Sequence, residues 1–387
     1  MMNINRYYIL LLLCLVSWVS SYSYTINGKV ITAQSKQGIA GAVVFINNTQ
    51  KYALTDSSGN FSIENISETY FDIVVAHKLY AKLIYRYSAG NIGKKLSFEL
   101  EQAPVDSVLI QSDSLIRLNN LKWSNAFMSN FVGISEYADC EVLNPEVLRF
   151  FYEPKKNILT IKATDQIRII NEALGYLMNI CLDDFVIEGT VISYNRQIYF
   201  KPLHSKNAAV AEKWNSNREK LYKGSLQHFM RSFYTNTLEN EGFSIRKISR
   251  IYDNEPAFQK YTRSSEINVA KTVFVNDSTN NSGRFIDMIE RINTNEIRKQ
   301  DVNSQAVFFT SKNPVQVTYK NAYLPYDYLR YIGFKNYATS FISSIETNPI
   351  RIESNGSYFE SANIFIDGYW AWLKIASKLP GDYNANR

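Results

Sequence analysis

Residues 38–63 read GIAGAVVFINNTQKYALTDSSGNFSI, and they decide the architecture of the first part of the chain. Ala42 to Ile46 is a β-branched and aromatic run, the composition of a strand that packs on a pleated, buried surface. Asp56-Ser57-Ser58-Gly59 has the signature of a type I turn closed by a residue that tolerates positive φ, so a hairpin follows. Beyond it Phe61 and Ile63 alternate with Asn60, Ser62 and Glu64, placing one face inward and the other in water. Working outward, Ile26, Gly28 and Val30 begin an alternating run, and Phe71 to Val75 and Leu96 to Leu100 supply further strands. Six or seven strands at this spacing, with no helical period between them, predict a β-sandwich over residues 24–102.

Upstream, MMNINRYYILLLLCLVSWVSSYSY carries one positive charge at Arg6, an apolar run to about Val19 and small residues at Ser21 and Ser23. This three-part pattern predicts a cleavable secretory signal over residues 1–23. The run is shorter than the ~20 residues a membrane helix needs, so no transmembrane segment is expected after cleavage. Cys14, in the middle of that run, leaves with the leader. Cleavage removes Arg6 alone among charged residues, so a net charge of +6 falls by 1 to +5. Lysines and arginines are interspersed with acids, as in KKNILTIKATD, which gives nucleic acid no basic face to bind. Cys140 and Cys181 would remain in an oxidising compartment, where a disulfide and two buried thiols are both open readings.

The matching features Gly28-Lys29-Val30, then Gly38-Ile39-Ala40-Gly41-Ala42-Val43-Val44, then Thr55-Asp56 with Gly59-Asn60-Phe61-Ser62-Ile63, resemble the carboxypeptidase regulatory-like domain. That domain is a transthyretin-like sandwich of exported Gram-negative proteins, and Leu79 before Tyr80 departs from its usual Gly-Tyr. The resemblance implies an accessory module, not a peptidase. A zinc peptidase needs two imidazoles and a carboxylate around an open position. The histidines here are His77, His204 and His228, none in an H-E-x-x-H pattern, so no metal or cofactor is expected. One carboxylate at Asp56 is too few for calcium.

Residues 103–387 predict an α+β domain in which a helical pair lies on antiparallel sheet. Strands are expected at 147–152 and 158–163 around Glu153-Pro154-Lys155-Lys156-Asn157, then at 174–185, 190–194 and 197–203. The pair should begin at an N-cap Ser205, break at Gly224-Ser225, continue on the apolar face Leu226, Phe229, Met230 and Phe233, and stop at Gly242. Strands resume at 243–251, 269–275 and 315–319, with a polar loop at 276–283. Asn355-Gly356 predicts a two-residue hairpin, and GYWAWLKIASKLPGDY a last strand or short helix. Gly133, Cys140, Leu143-Asn144-Pro145, Asn171, Leu174-Gly175-Tyr176, Arg218, Tyr222, Gly224-Ser225, His228-Phe229, Arg231 and Leu379-Pro380 also resemble a region of no assigned activity that often follows this sandwich.

The candidate polar cluster is Arg218, Tyr222, Ser225, His228 and Arg231, in which Arg218 and Tyr222, and His228 and Arg231, share helix faces. A hydrolase would use Ser225 as nucleophile and His228 as base, but no G-x-S-x-G elbow surrounds Ser225, which suits an N-cap. As a strand, 369–372 would point Tyr369 and Trp370 to opposite sides and let Trp370 and Trp372 share one face, either as a glycan platform or as core. No P-loop, dinucleotide fingerprint or C-x-x-C is present, and no residue is assigned a catalytic role. The expectation is a non-enzymatic exported protein of the periplasm or outer surface, binding an envelope protein or a glycan. An envelope hydrolase with its site near His228 is the alternative.

Overall fold

The computed structural model describes residues 23–104, 109–189, 191–252, 269–274, 284–302, 306–321, 324–331, 338–345, 349–359 and 363–385. The signal-peptide region and the loop at 276–283 lie outside them. The chain divides into two compact units, one reaching Val105 without Asn48–Gln50 and the other comprising Asn48–Gln50 and Asp106–Arg387. No described helix is long and apolar enough to cross a membrane.

The first unit contains β1 (Tyr24–Thr32), β2 (Val43–Ile46), β3 (Tyr52–Leu54), β4 (Asn60–Ile66), β5 (Phe71–His77), β6 (Tyr80–Tyr87) and β7 (Leu96–Leu100). They form sheets of order β4-β1-β7 and β3-β2-β5-β6, and β7 joins β1 in parallel. Ile26, Val30, Val44, Phe61, Ile63, Ile73 and Phe98 close the core of this predicted sandwich. The Asp56 turn forms as expected. Gly59 N–H donates to Asp56 O at 3.0 Å and Asp56 N–H to Asn60 O at 2.9 Å. Gly59 has φ +82°, and a Cβ there would strike Val30 O. The N–H of Asn60, hydrogen-bonded to the Asp56 carboxylate, holds that carboxyl below its usual range.

The second unit is α+β. It opens with α1 (Asp113–Phe127), capped by Ser112, which runs into a π-helical turn at Met128–Val132. Then come β8 (Cys140–Val142), β9 (Leu148–Glu153), β10 (Ile158–Ala163), β11 (Ile167–Asn171), β12 (Tyr176–Glu188) and β13 (Val191–Pro202). Antiparallel β12 is the spine of this sheet, pairing β11 through Ile180, β10 from Phe185, and β13 along most of its length. The helical pair α2 (Ala208–Tyr222) and α3 (Leu226–Thr235) follows.

A second sheet, of order β15-β16-β14-β19-β20-β22, is built from β14 (Phe243–Tyr252), β15 (Val269–Phe274), β16 (Arg284–Arg291), β19 (Val315–Tyr319), β20 (Ala338–Ser344) and β22 (Ile364–Gly368). Between these strands lie α4 (Thr294–Ile297), β17 (Arg298–Gln300), β18 (Val307–Phe309), α5 (Tyr326–Tyr331) and β21 (Ile350–Ile352); β17, β18 and β21 pair into a small sheet, and α6 (Tyr369–Trp372) follows β22. Two cores result. One gathers Phe131, Ile169, Ile180 and Phe200 around β12; the other gathers Phe229, Phe233, Val317, Ile342 and Trp370 beneath α3.

Several local expectations are corrected. The three strands expected over 174–203 are two long ones. Polar Asn195 does not break β13, because it bonds Asp183 across the pair at 3.0 Å and an irregularity at Leu182/Phe185 absorbs the misfit. The cap of α2 is Asn207, whose side chain accepts from Ala209 N–H, while Ser205 supports Asn207 from the preceding turn. The end of α3 is Asn236, at φ +60°, ahead of Gly242; asparagine, like glycine, tolerates the left-handed region. Asn355-Gly356 belongs to a three-residue loop, since Glu353 N–H bonds Ser357 O and Gly356 N–H bonds Glu353 O, both at 2.9 Å. Residues 369–372 are one turn of helix, which overturns the strand-face argument. The sequence reading placed no helix at 113–127. Cys140 and Cys181 are not joined in a disulfide.

Candidate functional site

The helix α2 is placed by the β11–β12 turn. Within that turn Asn171 is fully buried, and its Oδ1 accepts from Leu174 N–H at 2.9 Å. Four consecutive carbonyls, of Glu172, Ala173, Leu174 and Gly175, point at the helix. Trp214 Nε1 donates to the first at 2.7 Å, Asn217 Nδ2 to the second at 2.8 Å, and Arg218 to the third and fourth at 2.7 and 3.0 Å. The Arg218 guanidinium also lies 4.2 Å from the centroid of the Tyr176 ring, whose hydroxyl burial pushes up to about 12. Every one of these contacts is to backbone or to a ring face, so Arg218 acts as a clamp on a turn.

Between the helices the chain reverses at Gly224, where φ is +79° and a Cβ would come within 2.5 Å of the Tyr319 ring. Ser225 caps α3, its Oγ accepting from His228 N–H at 3.1 Å. One turn into the helix, the His228 side chain is buried among Tyr222, Phe243 and Tyr319, with ring centroids 4.9, 4.9 and 5.5 Å away. Its Nδ1 accepts Gly224 N–H at 3.1 Å, so the ring proton resides on Nε2 and donates to Glu241 Oε2 at 3.2 Å. Burial lowers the pKa of His228; the hydrogen bond to half-exposed Glu241 opposes this only in part. The imidazole is therefore a neutral two-ended link.

Arg231 serves a third place. Its Nε donates to Asn355 O at 2.9 Å, and its NH2 group to Gly381 O and Tyr383 O at 2.9 and 2.8 Å. Its guanidinium stands 5.3 Å from the centroid of the Tyr222 ring. Gln227 adds a bond to Pro380 O at 3.0 Å, and Asn171 Nδ2 reaches Ala376 O at 2.9 Å.

Thus the five residues singled out in sequence are brought onto one helical pair and divide among three tasks. Ser225 Oγ and the His228 ring are not hydrogen-bonded to each other. Two clefts stand out on the described surface, one of about 220 Å³ beside Asn236, Asn240, Arg291 and Asn293, and one of about 620 Å³ at Asn27, Asn60, Lys94 and Lys95; neither is lined by Ser225 or His228. Trp370 is buried with Nε1 donating to Gly224 O at 2.9 Å, and the half-buried Trp372 stacks on Tyr369. Sequence reasoning missed Trp214, Asn217, Glu241 and Tyr383. Trp214 and Asn217 were open to discovery, since Trp214 stands four residues before Arg218 and three before Asn217, spacings at which helical side chains are neighbours; Glu241 and Tyr383 leave no local signal.

Comparison with solved structures gives a 9R-lipoxygenase from Cyanothece PCC8801, 8% identical over 55% of this chain and 48% of that one, with a TM-score of 0.15. This chain spans about half the length of that enzyme. It also gives BcpA, the major pilin subunit of Bacillus cereus, 9% identical over 93% of this chain and 86% of the other, with a TM-score of 0.17. Scores this low bear on neither fold nor function. No curated protein sequence matches the chain. The family comparison is informative for one part: residues 26–110 match the CarboxypepD_reg-like domain, and the N-terminal sandwich is a module of that family.

Proposed function

We propose that this chain is an exported, non-enzymatic binding or scaffolding protein of the cell envelope, with the N-terminal module as its accessory or docking unit. One observation carries the reading. The groups of the helical pair best suited to chemistry, Arg218, Ser225, His228 and Arg231, are all engaged in holding backbone or neighbouring side chains in place. Catalytic groups need a partner that is free to meet a substrate, and the imidazole nitrogens here are both occupied. Export is supported by the leader-like residues 1–23, and the accessory role by the CarboxypepD_reg-like module.

The test is crosslinking of residues 24–387 in a native cell envelope, followed by mass spectrometry and reconstitution of the recurrent partner from purified components. A partner that binds again in isolation is the expected result. A hydrolytic activity that vanishes in a folded His228→Asn variant would overturn the proposal in favour of the envelope hydrolase.

A further inference from the structure

Helix α1 is apolar on both of its sides. The inner side is anchored: Phe127 sits in the core around β12 with its ring centroid 5.0 Å from that of Phe131, and half-buried Trp123 packs against the same core. Asn120 Nδ2 adds a bond to Pro145 O at 3.3 Å. At about 100° per residue, Leu115, Leu118 and Leu121 spread over about 120° of the outer side. They are 42%, 62% and 82% exposed. The charges beside them share one sign. Arg117 follows about 40° beyond Leu121, and it and Lys122 are both exposed. Lys122 leans to the opposite flank, its ammonium 4.8 Å from the centroid of the Trp123 ring and 6.0 Å from that of the partly exposed Tyr152. The one acid of the helix, Asp113, stands beyond Arg117, away from the leucines.

A row of exposed leucines marks an interaction surface. A leucine crest, a long cationic side chain on each flank and an aromatic pair at one edge are what a helix lying in a bilayer interface presents. A second copy of the chain fits the face less well. A stable dimer takes ~20–30 residues a side, and a two-fold pairing of α1 would bring its cations toward their own like. From the leucines and the single sign of charge we propose that the outer side of α1 docks on an anionic phospholipid bilayer. The helix lies in the membrane plane, with Leu115, Leu118 and Leu121 below the headgroups and Arg117 and Lys122 among the lipid phosphates. This deepens the envelope reading and rests on it for access to a membrane; vesicle binding by the purified chain is measured without that assumption, so its failure leaves the crosslinking test untouched.

The experiment sediments residues 24–387 with vesicles of phosphatidylcholine alone or mixed three to one with phosphatidylglycerol. Binding to the anionic vesicles should be about tenfold or more the stronger, at roughly fivefold per cation, and most of that preference should vanish at about 0.5 M salt. Leu118→Ser/Leu121→Ser and Arg117→Gln/Lys122→Gln should each weaken binding about tenfold or more. Both should keep the Tm of the unaltered chain, since all four side chains are exposed. Lys206→Gln/Lys213→Gln, which removes exposed cations outside α1, should bind as the unaltered chain does. No binding to the anionic vesicles, equal binding to both kinds, or binding that Leu118→Ser/Leu121→Ser leaves intact overturns the proposal. A dimer in sedimentation velocity that the same leucine variant dissociates, without vesicle binding, would give the face to a second copy instead.

Discussion

His228 shows how one side chain can be specified from both ends. Its Nδ1 is fixed as an acceptor by the Gly224 amide, so protonating the ring sacrifices that bond and charges a buried group. Because the folded-state pKa is lowered from 6.5, the unfolded chain binds the proton more readily, and stability present above that value is lost as pH falls below it. Chemical denaturation between about pH 7.5 and about pH 5 should therefore show a falling midpoint. In His228→Asn, whose carbonyl can still accept from Gly224, the slope should be shallower. An unchanged slope would assign the acid sensitivity to other groups.

At the scale of elements, α2 is held by its grip on the β11–β12 turn as well as by the core contact of Leu221. Arg218→Ala deletes two charge-assisted bonds to carbonyls and a ring contact, and should lower stability by about 2 kcal/mol. Arg218→Lys should recover less than half of that, since an ammonium lacks the fork that spans Leu174 O and Gly175 O. Urea midpoints of the two variants decide it. Legibility in the sequence followed how local each determinant is. The Asp56 hairpin and the face Leu226, Phe229, Met230, Phe233 were readable because turn chemistry and helical period sit within a few residues. Helix α1 was not, because Leu115, Leu118 and Leu121 are exposed while Trp123 and Phe127 turn inward, which leaves no single apolar stripe. The cluster of Arg218, Tyr222, Ser225, His228 and Arg231 was readable as a cluster, but its tasks were not, since most of its hydrogen-bond partners lie between 13 and 152 residues away.

At the scale of the molecule, the N-terminal unit has a core of its own, and residues 23–104 expressed alone should unfold in one cooperative transition. Circular dichroism and dispersed amide resonances would check this; a broad, non-cooperative melt would show that the module needs the rest of the chain. The second unit is organised otherwise. Its segment 375–383 supplies Ile375 and Leu379 to the core around β12, a carbonyl to Asn171, and two more to Arg231. The consequence is one of timing during synthesis. The sandwich has all its strands once Leu100 has left the ribosome, whereas donors from Asn171 to Arg231 wait for acceptors that are translated hundreds of residues, or more than a hundred, later. Of the two units, the second is the one whose nascent form keeps these donors unsatisfied until its final turns arrive.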